Sequence, residues 1–286
     1  MAIFGVIGPG AVGSVIGESL HNSGYQVTFL GRRAGKVCIE RAGMQETVAF
    51  PVEAISEVKT VFDYLFITVK GTQLEGIMPY LDKLTHENTV CILCQNGYGQ
   101  LEKFHIPNAY QAVVYISGQK KENVVTHFRD RILILPENTV TKKLKEIIAA
   151  SNLEIRLSPD YRFEVWYKLI VNVAINSVTA LSRNTALILQ EKTVQNLCER
   201  LIQEGVGIAA AEGIYFQGNI ADEIMNIYAG YPPHMGTSMY YDRVDGKTME
   251  TAYIQGYLYE KSKKHGLDTP CLDTVYSLLL ASEMKG

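Results

Sequence analysis

The chain has 286 residues, of which 47% are hydrophobic and 20% charged, with a formal net charge of −3. That length favours two domains, and the composition supports buried cores without disulfide or metal staples. There is no basic face for nucleic acid, no apolar run of 18 residues for a membrane span and no basic leader after Met1. A cytoplasmic protein without nucleic-acid or membrane partners is therefore expected.

The five cysteines are scattered, as in a reducing compartment. Cys91 and Cys94 form a C-x-x-C within "NTVCILCQNG". That stretch reads as a buried strand, in which residues three apart face opposite sides, so neither a bridge nor a shared metal fits. The six histidines show no metal-ligand spacing.

In chain order, "AIFGVIG" (2–8) is a short apolar strand and "AVGSVIGESLHNSG" has helical spacing closed by Gly24. Strands follow at "YQVTFLG" and "YLFITVK" (64–70), then a helix at "TQLEGIMPYLDKL" and a strand at "TVCILCQNG". "QAVVYIS" and "RILILP" continue the strand signal, before the amphipathic "TVTKKLKEIIAAS" and a last strand, "LEIRL". This alternation predicts an α/β fold, a Rossmann-type doubly wound sheet, with ligands bound at the carboxyl ends of its strands.

The first strand runs into Gly8-Pro9-Gly10-Ala11-Val12-Gly13, a G-x-G-x-x-G placed between strand and helix. Glycines there permit a tight turn and close approach of backbone to a pyrophosphate, which the helix N-terminus attracts. An NAD site offers an acid about 20 residues on. Here the second strand ends Leu30-Gly31-Arg32-Arg33, with no acid between Tyr25 and Ile39. Arginine suits a 2′-phosphate through its charge and forked donors, which points to NADP(H). Lys70 and Asn96 close two further strands and fall at the same ligand edge.

After Pro159 strand patterns give way to helical periodicity, predicting a nucleotide-binding domain over 1–159 and an all-α domain over 160–286. Long helices are expected at about 161–181, 191–212 and 247–265. The last ends in Lys261, Lys263, Lys264 and His265 before Gly266, matching the helix dipole. Within "EVWYKLIVNVAINSVTAL" (164–181), Lys168, Asn172 and Asn176 recur every four residues in an otherwise apolar cylinder. Steps of four drift about 40° each, so the three form one polar stripe roughly 12 Å long. Two readings fit. One is a structural network in which Glu164 pairs with Lys168. In the other, the stripe lines a cleft, with Lys168 as proton donor and the amides as substrate clamps.

"WYKLIVNVAINSVTAL" resembles the signature helix of the ketopantoate reductase (2-dehydropantoate 2-reductase) family. "GPGAVG", "TVKGTQ", "QNGYG" and "TSMYYDRVDGKTMETAYIQG" follow the family's order across the whole chain. The resemblance implies NADPH-dependent reduction of a small 2-oxo acid, ketopantoate, to (R)-pantoate, a step toward pantothenate and coenzyme A. It implies Lys168 as general acid, Asn172 and Asn176 at the substrate hydroxyl end, and Ser238 at its carboxylate. Arg32 would meet the 2′-phosphate. Lys70 and Asn96 would lie beside the ribose and nicotinamide, and Glu250 beside the ribose or the lysine, sharing the catalytic role. Ala186, Ala252 and Gln255 depart from the family pattern around the substrate. A reductase of another branched 2-oxo acid and a non-catalytic NADP(H) sensor thus remain as alternatives. The seventeen tyrosines, many after residue 210, are compatible with a homodimer interface.

Overall fold

The structure is a computed structural model describing residues 2–41 and 47–284. The chain divides into two compact units, residues 1–95 with 100–161, and residues 96–99 with 162–286.

The first unit is built on one ten-stranded mixed sheet. Its strands are β1 (Ile3–Ile7), β2 (Gln26–Gly31), β3 (Gly35–Arg41), β4 (Thr47–Ala54), β5 (Tyr64–Ile67), β6 (Val90–Leu93), β7 (Ala109–Gln111), β8 (Val113–Lys121), β9 (Val124–Pro136) and β10 (Glu154–Ser158). The order across the sheet is β10-β9-β3-β4-β2-β1-β5-β6-β7, with β8 paired to β9. β1 lies between parallel partners β2 and β5, in the registers Ile7↔Leu30 and Ile7↔Ile67. Successive side chains of these short strands enter different cores, as the period of two requires. Phe4, Val6, Phe66 and Ile92 pack in one, and Ile7, Leu65, Ile67 and Leu93 in the other. Helices α1 (Ala11–His21), α2 (Met78–Leu84) and α3 (Thr139–Ile147) complete the predicted doubly wound α/β arrangement. An Asn138–Thr141 capping box starts α3.

Three strands were not anticipated as separate elements: β3, β4 and the short β7, of which only Gln111 falls in the strand expected over 111–117. The reason is visible in β4, which carries Pro51 and is buried only at Phe50, Val52 and Ala54. Its antiparallel partner β3 is in turn joined to β9 through Cys38–Arg41 against Val124–His127, a pairing no local pattern announces. The helix expected over 72–84 is shorter, since a single 3-10 turn at Gly71–Gln73 precedes α2. Cys91 and Cys94 do face opposite cores, and both are free. Burial pushes the Cys91 thiol up to about 12 and Cys94 higher still, so neither is a thiolate at neutral pH.

The second unit is helical, with α4 (Tyr161–Ser182), α5 (Lys192–Ala211), α6 (Ile220–Ala229), α7 (Ser238–Val244), α8 (Gln255–Lys264) and α9 (Pro270–Glu283). α4 is long and apolar enough to cross a membrane, but 72% of its apolar window is buried in the protein. It is the core helix of this unit, contributing Trp166, Leu169, Ile170, Val173 and Ala174 to the cluster formed by its neighbours. α5 holds α9 in place, because the Glu204 carboxylate accepts from the amides of Cys271 and Leu272 at 2.9 and 2.7 Å. The predicted helix over 247–265 begins only at Gln255; residues 247–250 are irregular and 251–254 form a turn instead.

Candidate functional site

The glycine loop leaves β1 at Gly8, whose φ of +94° is open to glycine at little cost. A side chain there would also strike Val69, 2.7–3.0 Å from the Cβ position. Gly8 donates its amide to the Leu30 carbonyl at 2.9 Å, tying the loop to the end of β2. Its own carbonyl accepts from Thr68 Oγ1 at 2.7 Å and from the Gly10 amide at 2.6 Å. A Cβ on Gly13 would lie 2.2 Å from Thr68 Oγ1, so that glycine lets α1 pack against the strand-end loop. Pro9 is held from a distant element, the Lys120 ammonium of β8 donating to its carbonyl at 2.7 Å.

Gly10 is different. A Cβ there would meet nothing nearer than the Gly8 carbonyl at 3.9 Å, so the face of the loop above it is open. α1 starts with Ala11 and Val12, without a side-chain cap and without an acid in its first turn. Its first amides and positive dipole end are thereby left for an anion. Arg32 follows the last residue of β2 and is exposed; Lys70 follows β5 and is partly buried. Both stand at carboxyl ends of the strands flanking β1. These residues fit a dinucleotide: an open anion cradle at the loop and a cation one strand away.

In the second unit the polar stripe is present on α4. From residue 168 to 180, only Lys168 and Asn172 are not buried; Asn176 is buried at 4% exposure. The next turn is tied to α7. Thr179 and Thr237 share a hydrogen bond between hydroxyls at 2.8 Å, and Thr237 caps α7 by accepting from the Tyr240 amide. Ser238, exposed, is the first residue of that helix.

Asn96 and Glu250, 154 residues apart, are brought into contact, with Asn96 Nδ2 donating to Glu250 Oε2 at 3.3 Å. The backbone imposes this pairing. Tyr98 donates its amide to the Tyr253 carbonyl at 2.9 Å, and a Cβ on Gly97 would sit 2.2 Å from that same oxygen. With φ +81° as well, position 97 excludes any side chain. Glu250 is itself 7% exposed, so its carboxylate is oriented by the protein rather than by water.

Residues 4–138 match the family profile described as "Ketopantoate reductase PanE/ApbA", and residues 160–283 match "Ketopantoate reductase PanE/ApbA C terminal". The chain belongs to the ketopantoate reductase family. It is 30% identical to a 2-dehydropantoate 2-reductase of Mycobacterium tuberculosis, over 97% of this chain and 96% of that protein. Against the dimeric ketopantoate reductase of Staphylococcus aureus it is 44% identical, with a TM-score of 0.95 and 98% of each chain covered. A D-mandelate dehydrogenase solved with NADH and anilino(oxo)acetate, 24% identical over 98% of each chain, shares the fold at a TM-score of 0.86. Membership in the ketopantoate reductase family makes the protein an oxidoreductase of a small-molecule substrate and implies a nicotinamide cofactor.

Several residues that shape these ketopantoate reductase elements carry no motif. Thr68, Lys120 and Thr237 act through contacts with chain segments 58–111 residues away. Gln95, buried at the end of β6, donates to the Ile67 and Val69 carbonyls at 2.7 and 2.9 Å and so fixes the loop leading to Lys70. Their neighbours in sequence are ordinary strand or loop residues, so only pairing in space distinguishes them. The three departures also differ from one another. Ala186 is buried at 4%, Ala252 is exposed, and Gln255 is fully buried with its amide donating to Ser177 Oγ of α4 at 3.0 Å.

Proposed function

We propose that the protein reduces 2-dehydropantoate to (R)-pantoate with NADPH, within pantothenate and coenzyme A synthesis. The observation that carries this reading is the Asn96–Glu250 contact, together with a buried helix exposing only Lys168 and Asn172 of its polar stripe. A chain that folds Asn96 onto an acid 154 residues away keeps an arrangement that a plain binding protein does not need.

NADPH, when bound, supplies the hydride. The open loop of Gly8, Pro9, Gly10, Ala11, Val12 and Gly13 takes its pyrophosphate, and Arg32 takes the 2′-phosphate, in keeping with the lack of an acid between Tyr25 and Ile39. Lys70, Asn96 and Glu250 hold its ribose and nicotinamide end. On the substrate, Ser238 binds the carboxylate, and Asn172 and Asn176 hold the hydroxyl end. Lys168 donates its proton to the carbonyl oxygen as negative charge develops there, and Glu250 supports the lysine network. On this reading the cofactor domain is 1–159 and the substrate domain 160–286; the compact units differ from it in grouping residues 96–99 with 162–286. The dimeric Staphylococcus aureus relative supports a homodimer, which light scattering tests as a mass of twice 31.9 kDa.

One observation favours a second reading, another branched 2-oxo acid as substrate. The buried Ala186 has no polar group to pair a substrate hydroxyl, and a site demands a hydroxyl only where it must satisfy one. Steady-state oxidation of NADPH and NADH against ketopantoate and a panel of branched 2-oxo acids decides between them. NADPH with ketopantoate is expected to give the highest kcat/KM. Lys168→Ala is expected to lower kcat on the order of 10²–10⁴-fold with little change in NADPH affinity. Full turnover in that variant, or none in the wild type despite tight NADPH binding, would refute the proposal.

A further inference from the structure

Tyr228 lies on α6, is 2% exposed, and points its hydroxyl at the backbone of α4. The hydroxyl donates to the Val171 carbonyl at 2.5 Å and accepts from the Ile175 amide at 3.3 Å. Those two groups are the partners of a single rung of the helix, the amide of residue i and the carbonyl of residue i−4. A side chain from another helix therefore stands on both members of one rung. Other hydroxyls along α4 behave differently. Ser177, Thr179 and Ser182 each bond back to the carbonyl four residues earlier, on Val173, Ile175 and Val178. Such bonds leave the amide half of the rung alone, whereas Tyr228 engages both halves.

A group inserted into the ladder bends a helix at that point. The rung from Val171 to Ile175 encloses Asn172, with Lys168 one turn before it and Asn176 one turn after. The way this rung is held thus governs how the front of the stripe is turned relative to the back. Burial first, and the neighbouring Cys198 next, raise the Tyr228 phenol well above its ordinary value, so the hydroxyl keeps its proton and remains a donor.

We propose that Tyr228 is a positioning residue for the reaction, its hydroxyl setting the geometry of Lys168 and Asn172 relative to Asn176 by holding the Val171–Ile175 rung. The inference rests on the role assigned above to that stripe. A displacement of about 1 Å at a reacting group costs on the order of 10²-fold in rate, so a change of one rung is large enough to matter.

Tyr228→Phe tests it, with kcat, KM for the 2-oxo acid, the NADPH Kd and the melting temperature measured together. Without the hydroxyl, the Val171 carbonyl and Ile175 amide have each other to pair with. The fold should keep its melting temperature within a few degrees, while kcat falls about ten- to a hundred-fold, KM rises and the NADPH Kd stays unchanged. A purely structural hydroxyl would give the reverse, a lower melting temperature with kcat intact. Wild-type kcat and KM overturn the proposal, as does a loss of turnover accompanied by a fall in melting temperature beyond about 10 °C. Lys168→Ala run in parallel separates the two levels. If that variant turns over normally, the role of the stripe fails; if it is inactive while Tyr228→Phe matches the wild type, only the role of Tyr228 fails.

Discussion

Single residues in this protein are constrained most where backbone meets backbone. Gly97 is the sharpest case, since its missing side chain would lie 2.2 Å from the Tyr253 carbonyl and the residue also sits at φ +81°. Neither neighbour is a flexible side-chain end that could swing away. Gly97→Ala should therefore part the two turns that carry Asn96 and Glu250, at a local cost of about 1–3 kcal/mol. The expected result is a loss of kcat/KM larger than that shift in stability accounts for, read by assay and thermal melt on the same preparation. An alanine variant with wild-type kinetics would show that the Asn96–Glu250 contact is dispensable. The glycine was legible in "QNGYG", but its reason was not, because the atom that forbids a side chain is 156 positions on in the chain.

At the scale of elements, the helices of the second unit are stabilised by residues borrowed from one another. α9 begins at Pro270, and no side chain of its N-cap residue Thr269 caps it. Glu204 of α5 supplies that function by accepting two of its first-turn amides and placing a negative charge at the positive dipole end. Glu204→Ala should cost about 1–2 kcal/mol, by analogy with the loss of an ordinary N-cap, and appear as a lower urea midpoint with an unchanged slope. Unaltered stability would mean that solvent replaces the carboxylate without penalty. Local patterning located α5 and the apolar face of α4 well, because a period of 3.6 is written within a few turns. It failed over 247–254, where helical spacing continues but the chain is irregular and then turns at 251–254, with the Tyr253 carbonyl accepting from the Tyr98 amide. β3 and β4 were missed for the same kind of reason, as their pairing partners confer an order that their own residues do not.

For the molecule as a whole, one cluster links folding to pH. Glu212, at the end of α5, faces Lys261, Lys264 and His265 at the end of α8, at 3.4, 3.3 and 2.6 Å. Burial alone would raise its pKa, but His265, Lys264 and Lys261 outweigh it and hold the carboxyl down to about 2. An unfolded glutamate titrates near 4.3. The native state thus favours the charged form, and its stabilising contribution is complete above the unfolded value. It is lost as pH falls from about 5 toward 2. Urea midpoints of wild type and Glu212→Gln should differ most at pH 6, by roughly half as much at pH 3, and converge only at about pH 2 and below. A gap that stays constant across that range would remove Glu212 as a source of acid sensitivity.

Sequence by itself determined the parts of this protein whose physics is local. A glycine loop between a strand and a helix, a missing acid followed by Arg32, and a lysine and two amides at fourfold spacing are all readable within one or two turns of chain. They were enough to state the fold class and the family. Only the tertiary structure decided which distant groups complete those parts: Lys120 on Pro9, Asn96 on Glu250, Glu204 on the start of α9, Tyr228 on a rung of α4. Hydrogen bonds act over about 3 Å whatever the separation in sequence, so such pairs exist only once the path of the chain has brought them together.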